Sequence, residues 1–135
     1  MDFQILTPQK NRRAKLVKFM MPSIMKQLGL DKFDAHVAIV IEKDSENLGA
    51  TYELGSNIFF ICLEPVKSMK DIGVTLCHEM VHVSQMIRGM LKTDENGDRI
   101  WMGKKYPAGM HYTDRPWELN AYARQEIIFR RALEE

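Results

Sequence analysis

SMKDIGVTLCHEMVHVSQMIRGM, residues 68–90, is the stretch on which the reading of this chain turns. Ser68 followed three residues later by Asp71 has the form of a capping box, and no proline follows before Pro107. Set at 100° per residue, Met69, Ile72, Leu76, Met80, Val83, Ile87 and Met90 fall on one continuous apolar stripe. The spacing predicts a helix from about Met69 to Met90. His78 and His82 lie off that stripe, on a narrow strip shared with Thr75, Gln85 and Gly89, while Val74, Cys77 and Val81 occupy a third flank. Such a helix is expected to be buried on more than one side. Residues four apart stand one turn apart on the same face, so both imidazoles can reach one metal ion. Glu79 sits beside that face, where a carboxylate can take a proton without being a ligand. The pattern is H-E-x-x-H, and its metal-binding meaning depends on the helix.

Outward from this helix the chain reads as helix, strands, metal helix, hairpin, helix. From about Pro8 to Leu28, Leu16, Val17, Phe19, Met20, Ile24, Met25 and Leu28 predict a helix, broken or kinked at Pro22. Ala35 to Glu42 is a β-branched run suited to a strand buried on both faces. Ala50 to Leu54 and Asn57 to Leu63 are two further strands, joined across Gly55-Ser56 as a tight hairpin. After the metal helix, a polar stretch from Lys92 to Arg99 leads into Ile100 to Tyr106, a short strand or hairpin arm. Pro116 opens a last helix running to about Ala132. The expected fold class is α+β, with a small mixed sheet of about three strands.

Length and composition support one domain spanning residues 1–135, a size that can bury a core without disulfide staples. A net charge of +1 argues against strong steering of nucleic acid or membrane by the molecule as a whole. Cys62 and Cys77 are too few for a disulfide framework. The opening MDFQILTPQKNRR lacks an apolar signal core and no run approaches transmembrane length, so a cytoplasmic protein with reduced thiols is expected. Lys10, Arg12, Arg13, Lys15 and Lys18 form a basic cluster on the first helix. It reads as the solvated face of an amphipathic helix, with phosphate contact as the sharper alternative. Asp94-Glu95-Asn96-Gly97-Asp98 lacks the glycine and the final acid of a calcium loop and reads as a turn.

A catalytic metal site takes three protein ligands and leaves one position open. The expected third ligand is Glu118. On the last helix it shares a stripe with Ala121, Tyr122, Gln125, Ile128, Phe129, Ala132 and Leu133, the side expected to face the core. A carboxylate buried there without a partner would be costly, and a metal ion removes that cost. Ala121 is small enough for the two helices to approach closely, and Tyr122 and Gln125 could hydrogen-bond a ligand. Asp114 is expected to cap the last helix. His111, in a segment expected to be irregular, suits a substrate or oxyanion contact better than a fixed ligand, although it remains the alternative third ligand.

HEMVHVSQ at 78–85, followed by RPWELNAY at 115–122, resembles the small single-domain zincins of the phage-encoded metallopeptidase type. The pairing of H-E-x-x-H with W-E-x-x-A on a later helix is similar to the glutamate-ligand zincins. GATYELGSNIFFICLEP leading into the metal helix also resembles the SprT-like peptidase core. SprT-like proteins take histidine as third ligand, in a motif not found near His82. Thermolysin-type zincins follow the ligand Glu with an acid where this chain has Tyr122. The resemblance covers roughly Ala35 to Arg130. It implies a minimal zincin-like fold and hydrolysis of peptide bonds by a zinc-activated water, with His78, His82 and Glu118 on Zn2+ and Glu79 as general base. Tyr112, His111 and Tyr106 are the candidates to steady the oxyanion. A peptide or protein substrate would lie along an edge strand beside the metal helix, with Asn57 to Leu63 the implied edge. The rival from another class is a non-enzymatic zinc-stabilised module that binds a protein or nucleic-acid partner. A structural zinc site is closed by a fourth protein ligand and has no use for Glu79.

Overall fold

Helices pack on one side of a twisted sheet in the computed structural model, which describes residues 1–43, 49–65 and 68–134. The chain opens with strand β1 (Asp2–Ile5), helix α1 (Arg12–Gln27) and strand β2 (His36–Ile41), β1 and β2 pairing in parallel. An edge strand β3 (Gly49–Gly55) runs antiparallel to β4 (Ile58–Leu63), and β4 pairs in parallel with β2. The mixed sheet therefore has the order β1-β2-β4-β3. Helix α2 (Met69–Ile87) follows, then a small antiparallel sheet of β5 (Leu91–Thr93), β6 (Arg99–Trp101) and β7 (Lys104–Tyr106), a 3₁₀ turn at Tyr112–Asp114, and helix α3 (Pro116–Leu133). This is an α+β fold.

The sheet has four strands rather than three, because DFQI at the start of the chain is a strand. Phe3 and Ile5 pack against the core while Asp2 and Gln4 point away, the alternation of a half-buried strand. Four residues with two polar ones give a weak local signal, and the partner strand lies some thirty residues further on. Strand β2 alternates too, rather than being buried on both faces. Val37, Ile39 and Ile41 join α1, α2 and α3 in the core, whereas His36, Ala38 and Val40 are only half-buried. The helices cover the Val37 face, and no helix among the described residues covers the other. Beyond α2, the polar stretch and single arm expected from sequence are three short strands. The Asp94–Asp98 segment is a turn: Asp94 Oδ1 accepts from the Asn96 and Asp98 amides, and Gly97 takes φ 83.

Helix α1 passes through Pro22 as one element, neither broken nor split, since Pro22 lies on its exposed side where the carbonyl that loses its partner is solvated. Arg12, Lys15 and Lys18 are on the same outer surface, opposite Ala14, Val17, Met20, Met21 and Ile24. Asn11 caps α1, and the Ser68 hydroxyl caps α2 by accepting from the Asp71 amide at 3.2 Å. Helix α2 stops at Ile87 rather than Met90. Gly89, at φ 72, closes a Schellman motif in which the Met90 amide donates to Gln85 O and the Gly89 amide to Met86 O. Asp114 does not cap α3; Arg115 is at that position without a side-chain capping bond, and Pro116 in the first turn needs no donor satisfied. No helix among the described residues is long and apolar enough to cross a membrane.

Candidate metal centre

Helix α2 is buried without a break from Leu76 to Gln85, charged residues included. Its neighbours explain why. The sheet lies on one side, and α3 packs so closely on another that a Cβ on Gly73 would clash with Phe129 Cε1. Ala121 is fully buried. That approach delivers Glu118, one turn N-terminal of Ala121, to the histidine strip.

Three ligand atoms converge there. Glu118 Oε1 lies 2.8 Å from His78 Nε2 and 2.9 Å from His82 Nε2, and the two Nε2 atoms are 3.2 Å apart. A triangle with those sides has a circumscribed radius of about 1.7 Å, less than a bond of about 2.0–2.1 Å to a tetrahedral metal ion, so one ion can reach all three. Among the described residues this is the one group of three or more His, Cys, Asp or Glu arranged to hold a metal ion.

The surrounding hydrogen bonds supply an independent argument for a cation. Gln85, fully buried, donates from Nε2 to the Trp117 carbonyl at 3.0 Å and to Asn120 Oδ1 at 2.9 Å. A backbone carbonyl can only accept, so the amide orientation is fixed and Gln85 Oε1 faces His82 Nδ1 at 2.8 Å. That nitrogen must carry the proton. With Gln125 Oε1 as the acceptor 2.8 Å from His78 Nδ1, that nitrogen is protonated too. Both neutral rings therefore turn bare Nε2 lone pairs toward each other and toward a carboxylate. Two lone pairs and an anion within 3.2 Å repel unless a cation sits among them. Protons can serve in part: burial alone would depress His82, yet the Glu118 hydrogen bond and charge hold its pKa above the ordinary value. Burial likewise opposes ionisation of Glu118, but His78, His82 and Tyr112 hold its carboxyl far below the usual carboxylate range. A divalent ion satisfies all three ligands at once.

Comparison with known protein families, curated proteins and solved structures found no match.

Glu79 stays outside the ligand triangle. Thr51 on β3 donates to its Oε1 at 2.7 Å, and Gly49 gives it room, since a Cβ there would meet Thr75 Cγ2 at 2.5 Å and Glu79 Oε2 at 3.4 Å. Burial is the strongest influence on Glu79 and raises its pKa above the ordinary value, against the lowering pull of His82, Thr51 and His78. Glu79, His82 and Glu118 open on a cavity of about 190 Å³, also lined by Thr51, Arg99 and Tyr112.

Of the remaining sequence candidates, Tyr112 reaches the site and His111 does not. The Tyr112 hydroxyl donates to Glu118 Oε1 at 3.0 Å. Its burial and the bonds to Tyr122 and Glu118 raise its pKa, which keeps the phenol protonated. His111 is exposed, with Nδ1 2.7 Å from Thr113 Oγ1, and caps the 3₁₀ turn. Tyr106 packs edge-on against Trp117. Tyr122 makes no hydrogen bond to a ligand; its ring stands edge-on to His78 with centroids 4.6 Å apart, and its hydroxyl meets Tyr112. Cys77, next to His78 in sequence, turns into the core, where burial raises its thiol to about 12 and keeps it protonated. Sequence reasoning missed Gly49, Thr51 and Arg99. No spacing rule connects them to α2, because they arrive on other strands.

Proposed function

We propose that this chain is a zinc-dependent metallopeptidase of the small zincin type, hydrolysing peptide bonds with Glu79 as general base. The observation that carries the reading is the divided use of two carboxylates. Glu118 joins two histidines whose tautomers aim their lone pairs at one point, while Glu79, beside them and facing the same cavity, is held off by Thr51. Two nitrogens and one oxygen within 3.2 Å suit zinc, with a position left over for a reactant. When bound, zinc would supply Lewis acidity, acidifying a water and polarising the scissile carbonyl.

The chain's own groups account for the rest. Glu79 has a pKa raised by burial, so it takes a proton from the attacking water more readily than an exposed carboxylate would and can pass it to the leaving amine. Thr51 keeps Oε1 engaged and fixes the carboxylate plane. Tyr112, protonated and at the cavity mouth, is a hydrogen-bond donor within reach of a developing oxyanion. The neighbouring edge is β3, not the Asn57–Leu63 strand, which lies between β2 and β3. A peptide adding to the sheet beside α2 would therefore pair with β3.

A closed structural zinc site is disfavoured, because no fourth His, Cys, Asp or Glu among the described residues joins the group. Glu79→Gln separates the readings. It should leave zinc content by elemental analysis near that of the wild type and abolish hydrolysis of a mixed peptide pool. Equal hydrolysis by wild type and variant would defeat the proposal.

A further inference from the structure

Arg99 stands at the end of β6 and lines the same cavity as Glu79, His82 and Glu118. Among the described residues its side chain makes one hydrogen bond, from Nη1 to Thr93 Oγ1 at 3.0 Å, and no carboxylate is within ion-pair distance of it. Most of the five donors on its guanidinium are thus unused. The charges around it are lopsided once the proposed ion is present. A divalent ion is offset by Glu118 and Glu79, and the two other charges that act on Arg99, Glu53 and Arg115, oppose each other. Arg99 then adds an uncompensated positive charge to a cavity whose lining also includes Met86, Leu91 and Trp117. Arg115 cannot serve the same purpose, since its Nε and Nη2 both donate to the Met110 carbonyl.

We infer that Arg99 is the anchor for a substrate carboxylate adjacent to the scissile bond, making this site selective for acidic or carboxyl-terminal peptide positions. The guanidinium fork can hold a carboxylate by two parallel bonds, which a lysine at the same place cannot do. The inference rests on the proposed metallopeptidase site, but binding tests it without turnover. Succinate and butyrate have the same chain length and differ by one carboxylate. The zinc-loaded wild type should bind succinate at least tenfold more tightly than butyrate by titration calorimetry. Arg99→Gln should lose that preference and Arg99→Lys should keep part of it. Arg99→Met, which preserves the apolar stem, carries the same test if the glutamine variant does not fold. Equal binding of the two acids by the wild type, or a preference that survives loss of Arg99, overturns the inference. If the preference holds while no peptide is cleaved, the anchor stands and the peptidase reading falls. In a Glu79→Gln background, peptides bearing Glu with an amidated end, and peptides with a free end and no acid, identify the source of the carboxylate. Tighter binding of either kind that depends on Arg99 supports the anchor, and no Arg99-dependent preference for either overturns it.

Discussion

Two glutamines decide which nitrogen of each histidine faces the site. Gln85 is locked by the Trp117 carbonyl, and through it His82 is held in one tautomer and one ring orientation. Replacing Gln85 by Leu removes the acceptor while keeping the volume roughly constant, and we expect zinc affinity to fall by about 10- to 100-fold in competition with a chromophoric chelator. Unchanged affinity would show that the ring is held by packing alone. Glu118→Ala should weaken zinc binding by orders of magnitude, whereas His111→Ala should retain the metal, since the His111 ring is occupied by Thr113 outside the triangle. The reverse pattern would make histidine the third ligand. Thr51 offers a pH test. Glu79 is raised mainly by burial, and the Thr51 hydroxyl is one of the contributions that lower it. Its basic form exists only above that raised value, so kcat/KM should fall as pH drops through it. Thr51→Val removes a lowering contribution, and the acid limb of the profile should move to higher pH. A limb that stays in place or moves down would take Glu79 out of the base role. His78, His82 and Glu79 were legible in the sequence because their spacing is local. Thr51 was not, lying 28 residues away on another element.

Among elements, the approach of α3 to α2 positions the candidate metal site. Gly73 is the contact that permits it, with Phe129 Cδ1 2.8 Å and Met20 Sδ 3.1 Å from where a Cβ would stand. An alanine there must displace a buried ring or separate the helices. Overpacking of this kind costs about 1–3 kcal/mol, and here it should also lower zinc affinity, because Glu118 moves with α3. Urea unfolding and zinc competition on Gly73→Ala measure the two effects, and a loss of stability with unaltered affinity would mean that Phe129 alone gives way. Periodicity predicted α2 and α3 well, down to Glu118 on the side that meets the histidines. It did not order the strands. Which strand forms the edge beside α2 depends on pairings between distant segments, and the β-rich run at 58–63 looks the same from sequence whether central or peripheral.

For the molecule as a whole, a large hydrophobic core stands beside the candidate metal ligands. Val37, Ile39, Phe59, Ile61 and Leu63 share one buried hydrophobic cluster with Met20, Ile24, Leu76, Met80 and Phe129. We therefore expect the metal-stripped protein to stay folded and to melt several degrees lower, since a ligand at about a hundred times its Kd stabilises by about 2.7 kcal/mol. Calorimetry with and without chelator, alongside elemental analysis, checks this, and identical melting with no metal found would remove the basis of the zinc reading. The stripped protein should also show an opposite pH trend. His82 is raised by Glu118, so its contribution to stability is fully present below the ordinary histidine value and is lost as pH rises through the raised one. Zinc, which needs the ring deprotonated, should reverse that slope.

By itself the sequence determined the α+β class, helix α2 and its cap, and the three residues that meet at one point. Each follows from short-range rules, the helical repeat and the cost of burying an unpartnered acid. Only the tertiary structure decided the rest. It made DFQI a strand, placed β3 at the edge, gave Glu79 its threonine, turned His111 outward and carried Arg99 into the cavity. Those outcomes depend on segments far apart in the chain settling against one another, and no local pattern carries that information.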